Sequence, residues 1–141
     1  MTWSKRAAAE VEAMVELMFL VARADGDFSP PERRAFLDSV TSLSAGELDS
    51  TALLASIERI ETTLLRDGLD ARLAAAASQL PDEVSRRIAL GLCTQMALSD
   101  GAEDVTEHAM LDRIAEALGI TRDEEEEIAW SVRLSSRPPN G

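Results

Sequence analysis

Six acidic residues in two short loops carry the clearest chemical signal in this chain. Asp25, Asp27 and Glu32 lie in Ala24-Asp25-Gly26-Asp27-Phe28-Ser29-Pro30-Pro31-Glu32. Asp100, Asp104 and Glu107 lie in Ser99-Asp100-Gly101-Ala102-Glu103-Asp104-Val105-Thr106-Glu107. Carboxylate oxygens are hard ligands. Calcium takes roughly six to eight such oxygens at about 2.3–2.6 Å, and magnesium takes fewer, with retained waters. The chemistry on offer is therefore binding of a divalent cation, calcium or magnesium, with Glu103 as a further donor.

Each of these residues also has a purely architectural reading. Asp25 and Asp100 flank glycines of the kind that close helices, Glu32 and Glu107 complete capping boxes, and Asp104 is an N-cap worth about 1 kcal/mol. One observation counts against architecture alone. A carboxylate just past a helix C-terminus opposes the helix dipole, and the chain makes that unfavourable choice twice. Asp25-x-Asp27-x-Ser29 resembles the opening of an EF-hand, but Pro30 stands where that loop needs glycine. Phe36 stands where it needs a bidentate glutamate, so the EF-hand is excluded.

The loops are echoes of one another. A shift of 75 positions superposes Asp25 on Asp100, Gly26 on Gly101 and Glu32 on Glu107 without a gap. The same shift pairs Leu17 with Leu92, Ala22 with Ala97, Leu43 with Leu118, Leu53 with Ile128 and Ile57 with Val132. Fixed-period self-similarity of this kind is the mark of an internal repeat. Two equivalent loops point to a paired binding surface and away from a single asymmetric active site.

The elements that must hold the loops are helical throughout. Val11, Met14, Val15, Met18, Val21 and Ala22 follow i, i+3, i+4, i+7 spacing, and Leu17, Phe19 and Leu20 widen the stripe. Ile88, Leu92 and Met96, flanked by Ala89, Leu90, Cys93, Ala97 and Leu98, repeat the pattern. The spacing predicts central helices near 4–24 and 82–99. Ser29-Pro30-Pro31-Glu32 and Asp104-Val105-Thr106-Glu107 are start signals for helices near 30–43 and 105–118. Further helices are predicted near 49–67 and 122–134. An alanine-rich linking helix between Leu69 and Leu80 is punctuated by Gly68 and Pro81. No alternating β-branched run occurs. The predicted fold is all-α: a single domain over 1–134 of about seven helices, with pseudo-twofold halves at about 11–60 and 86–135 and a frayed tail at 135–141.

At the two loops the chain resembles the TerB family, the helical domains of tellurite resistance and stress response. The family mark is Ala-Asp-Gly with a glutamate following, repeated once per domain behind an apolar helix. The first copy here is complete from Ala24 to Glu32; the second keeps Asp100, Gly101 and Glu107 but has Ser99 where alanine is usual. The resemblance covers roughly 10–134. It implies a seven-helix fold, divalent-metal binding and metal-linked stress sensing. Its implied partners are other tellurite-resistance proteins, including a membrane component. Related domains occur in membrane-tethered DnaJ-like co-chaperones, but no J-domain His-Pro-Asp is present.

Composition limits the alternatives. The chain has 141 residues and a formal charge of −12, from 14 Lys+Arg against 26 Asp+Glu. Such a field repels nucleic acid and anionic lipid and favours cations or basic protein surfaces. No apolar run approaches the roughly 18 residues of a membrane span, and the N-terminal Met1-Thr2-Trp3-Ser4-Lys5-Arg6 does not read as a signal peptide. A cytoplasmic location is the expectation. Cys93, the single cysteine, reads as a core residue, His108 as a surface histidine, and Asp123-Glu124-Glu125-Glu126-Glu127 as a solvated helix start that suits the dipole. Met14, Met18, Met96 and Met110 read as core packing; Trp3 and Trp130 fit either a core edge or an interface anchor. No nucleophile–base set, phosphate-cradling glycine loop or cofactor fingerprint can be assembled, so the chain is not expected to be an enzyme. A rival to cation binding is an adaptor whose acidic face docks a basic protein surface without metal.

Overall fold

Apolar residues crowd both faces of the first helix, and that decides the architecture. In a computed structural model, which describes residues 5–24, 34, 36–38, 50–97 and 105–136, helix α1 (Lys5–Ala22) is the centre of the core. From Val11 to Ala22 every residue except Glu12 is buried. Around it stand α2 (Ser50–Asp67), α3 (Leu69–Ser78), α4 (Glu83–Ala97), α5 (Val105–Ala117) and α6 (Arg122–Ser136). Residues 34 and 36–38 are also helical, and no strand occurs among the described residues. Helix α1 packs most extensively on α4 and also touches α2, α3 and α5, while α4 carries α5 and α6 on its other sides. Leu17, Met18 and Leu20 meet Leu90, Met96 and Ile114 in a fully buried cluster. Each such side chain contributes about 1.5–3 kcal/mol through burial.

Turn chemistry sets the boundaries between helices. Gly68, at φ 88°, separates α2 from α3, and its amide donates to the Leu64 carbonyl at 2.9 Å. Gly119, at φ 71°, closes α5 in a Schellman turn. There the Ile120 amide donates to the Ala115 carbonyl at 2.9 Å, and the Gly119 amide to the Glu116 carbonyl at 3.1 Å. Helix α4 starts on Asp82, whose Oδ1 accepts from the Ser85 amide at 2.7 Å. Thr121 and Glu124 form a reciprocal capping box at α6. The Thr121 amide donates to Glu124 Oε1 and the Glu124 amide to Thr121 Oγ1, each at 3.2 Å.

The spacing predicts Ile88 and Leu92 on the buried face of α4, yet Ile88 is well exposed and Leu92 is only partly buried. The buried face is instead the neighbouring stripe Ala89, Leu90, Cys93, Met96 and Ala97. The reason is that α1, α5 and α6 surround α4 incompletely and leave one edge uncovered. In the helix predicted near 30–43, Phe36 is buried and Leu37 beside it is exposed. At the far end α6 runs to Ser136, and residues 137–141 of the predicted tail lie outside the described residues. Cys93, Met14, Met18 and Met96 are buried and His108 is exposed, as the spacing predicted.

Candidate functional site

The first acidic loop springs from the end of α1. The Arg23 amide donates to the Phe19 carbonyl and the Ala24 amide to the Val21 carbonyl, both at 3.1 Å. The Arg23 guanidinium lies 5.9 Å from the centre of the Phe19 ring. Phe19 also meets Phe36, with centroids 6.1 Å apart and planes tilted by 58°. An aromatic contact of this kind contributes about 0.5–1.5 kcal/mol beyond burial. It ties α1 to a residue on the far side of the loop in sequence. Asp25, Asp27 and Glu32 themselves lie outside the described residues, as do Asp100, Glu103, Asp104 and the caps assigned to Ser29 and Asp104. Glu107 falls in the first turn of α5. Among the described residues no group of three or more His, Cys, Asp or Glu is placed to hold a metal ion.

Two arrangements escaped the sequence reading. Glu16, buried in the apolar run of α1, accepts two hydrogen bonds from Arg72 on α3: Nε to Oε2 and Nη2 to Oε1, each 2.8 Å. The hydrogen bond and charge of Glu16 hold the Arg72 guanidinium above its already high pKa. This pair lines a cleft of about 400 Å³ between α1, α2 and α3, where Arg59 donates to Glu12 at 3.1 Å. The signal in the sequence was a lone glutamate among apolar neighbours, which demands a partner. The sequence does not say which arginine supplies it.

The acidic run of α6 is also more differentiated than a solvated helix start. Glu124 and Glu127 both reach Arg87 of α4, at 2.9 and 3.6 Å. Glu124 is held below the usual carboxylate range by hydrogen bonds from Thr121, then by Arg87. Glu125 goes the other way. Partial burial, followed by a hydrogen bond and like charge from Asp112 of α5, pushes its carboxyl up to about 7. The Glu125–Asp112 hydrogen bond links α6 to α5.

None of these groups forms a nucleophile–base pair, and Cys93 is fully enclosed, with its thiol pushed up by burial. No described helix is long and apolar enough to cross a membrane. No curated protein and no solved structure matches the chain. The family model for the tellurite resistance protein TerB does match, over residues 11–129, a span that begins in α1, takes in both acidic loops and ends in α6. The all-α architecture agrees with it, and the chain belongs to the TerB family.

Proposed function

We propose that this chain is a non-enzymatic TerB domain that binds divalent cations, calcium or magnesium, through its two Asp-Gly loops and serves in the response to metal or oxyanion stress of the tellurite type. One observation carries the reading: the two equivalent loops fall within the stretch that matches the family. In support, the helices that lead into them end at equivalent positions, α1 at Ala22 and α4 at Ala97, and pack against each other. The ligands in this reading are Asp25, Asp27 and Glu32 in one loop and Asp100, Asp104 and Glu107 in the other. Carboxylates crowded into one loop repel one another, and a divalent ion removes that repulsion while filling its oxygen shell. Partners on this reading are basic protein surfaces and other tellurite-resistance proteins, including a membrane component, and the domain works in the cytoplasm.

The test is titration calorimetry of chelator-treated protein with calcium and with magnesium. Saturable binding with one ion per loop supports the proposal. Heats that never saturate for either ion contradict it.

A further inference from the structure

Helices α4 and α6 leave four large apolar side chains in solvent. Val84 is 68% exposed, Ile88 47%, Trp130 59% and Leu134 49%. Val84 and Ile88 are one turn apart on α4, as are Trp130 and Leu134 on α6. The two helices run side by side in the same direction. Arg87, near the start of α4, reaches Glu124 in the first turn of α6. Further along, Gly91 faces Ile128. With about 100° per residue and a shared direction, both apolar pairs open on one flank of the α4–α6 seam. From the level of Val84 to that of Leu134 the strip covers roughly three and a half helical turns, about 20 Å.

We propose that this α4–α6 face docks a basic amphipathic helix of another protein. An exposed tryptophan with aliphatic neighbours is the composition of an interface anchor, and an i, i+3, i+4 apolar stripe is its natural complement. Charge selects among the possible occupants. The strip is bordered by Glu83, Asp123, Glu126 and Glu127; Glu83 and Asp123 have no basic partner within ion-pair distance among the described residues. Arg87 is engaged by Glu124 and Glu127, and Arg122 by Glu126; with Arg86 and Arg133 these are four bases against six acids at 83 and 123–127, so the border keeps an acidic excess. A second copy of this chain, itself of net charge −12, would set like charge against this acidic border, and anionic lipid would be repelled as well. A cationic helix gains on both counts. This inference is independent of cation binding by the loops.

The experiment uses the full chain carrying Trp3→Phe, so that Trp130 is the sole tryptophan. The probe is a synthetic leucine–lysine peptide of about four helical turns with one apolar face. Saturable blue-shift of Trp130 emission is expected, with binding weakened about tenfold by Ile88→Ser or by Leu134→Ser. Both positions are solvent-exposed, so neither change threatens the fold. Four outcomes overturn the proposal: no saturable shift; equal binding of a scrambled peptide of the same composition; a concentration-dependent dimer abolished by the same substitutions; or a Trp130 shift produced by phosphatidylglycerol vesicles and not by the peptide.

Discussion

Arg72 holds Glu16 with two parallel hydrogen bonds of 2.8 Å across the α1–α3 contact, and Glu16 is 6% exposed. A buried carboxylate that loses its only bidentate partner keeps its desolvation cost and loses the attraction that offset it. Arg72→Met is therefore expected to destabilise the chain by about 2–4 kcal/mol, somewhat less than a fully enclosed pair because the arginine edges a cleft. The double substitution Glu16→Leu with Arg72→Met should recover most of that loss. Denaturant unfolding of the three variants checks this, and a double variant as unstable as Arg72→Met contradicts it.

Arg86 serves three backbone carbonyls at once. Its Nε donates to Leu80 at 2.7 Å, Nη1 to Leu118 at 2.9 Å and Nη2 to Ala77 at 3.2 Å. One guanidinium thus serves the Leu80 and Leu118 carbonyls, just beyond the ends of α3 and α5, and adds a second donor to the Ala77 carbonyl, which also accepts from the Leu80 amide. Arg86→Met is expected to cost about 2–4 kcal/mol, since hydrogen bonds from charged donors contribute about 1.5–3 kcal/mol each and do not add fully. Arg86→Lys should recover only part, because an ammonium cannot reproduce the planar fork. Equal stability of Arg86→Lys and the parent in urea unfolding would falsify this account of the clamp.

The Glu125 carboxyl introduces a pH dependence whose sign is fixed by its direction of shift. Its pKa rises from the ordinary 4.5 to about 7 in the folded chain, through burial first and Asp112 second, with Glu126 adding to the rise and Arg122 opposing it. The folded chain then holds more protons than the unfolded chain between those values. The associated stability is complete below about 4.5 and is lost as the pH rises through about 7. Glu124, with its lowered pKa, loses its contribution only on acidification below that window. Glu125→Gln should match the parent near pH 4 and exceed it in stability near pH 8, on either side of the approximate window. Denaturation midpoints across that range test it; a constant difference between the two proteins contradicts it.

Much of this fold is legible in the sequence, because burial of α1 follows from apolar residues on every side and the stops follow from glycine and proline. Gly68 divides α2 from α3 where its residue type indicated, and α1 and α4 fall within the predicted spans. Ile88 shows what periodicity lacks. Its spacing fits a helix face, but which face is covered depends on how far α1, α5 and α6 wrap around α4, a tertiary property. Glu16 and Arg72 are 56 positions apart, and Asp112 and Glu125 lie on different helices, so no local pattern could pair them. The residues of the two acidic loops were identified from the recurrence of Asp-Gly alone, and only Glu107 lies on a described element.

The central claim is that Asp25 and Asp100 belong to cation sites, and thermal unfolding of four proteins tests it most directly. These are the parent, Asp25→Asn, Asp100→Asn and the double variant, each with chelator and with excess calcium or magnesium. With chelator, the variants should equal or exceed the parent, since removing one carboxylate relieves repulsion. With the ion at about 100 times its dissociation constant, the parent should gain about 2.7 kcal/mol, each single variant less and the double variant least. An equal shift in all four proteins would mean diffuse screening of the −12 charge and no site at either loop.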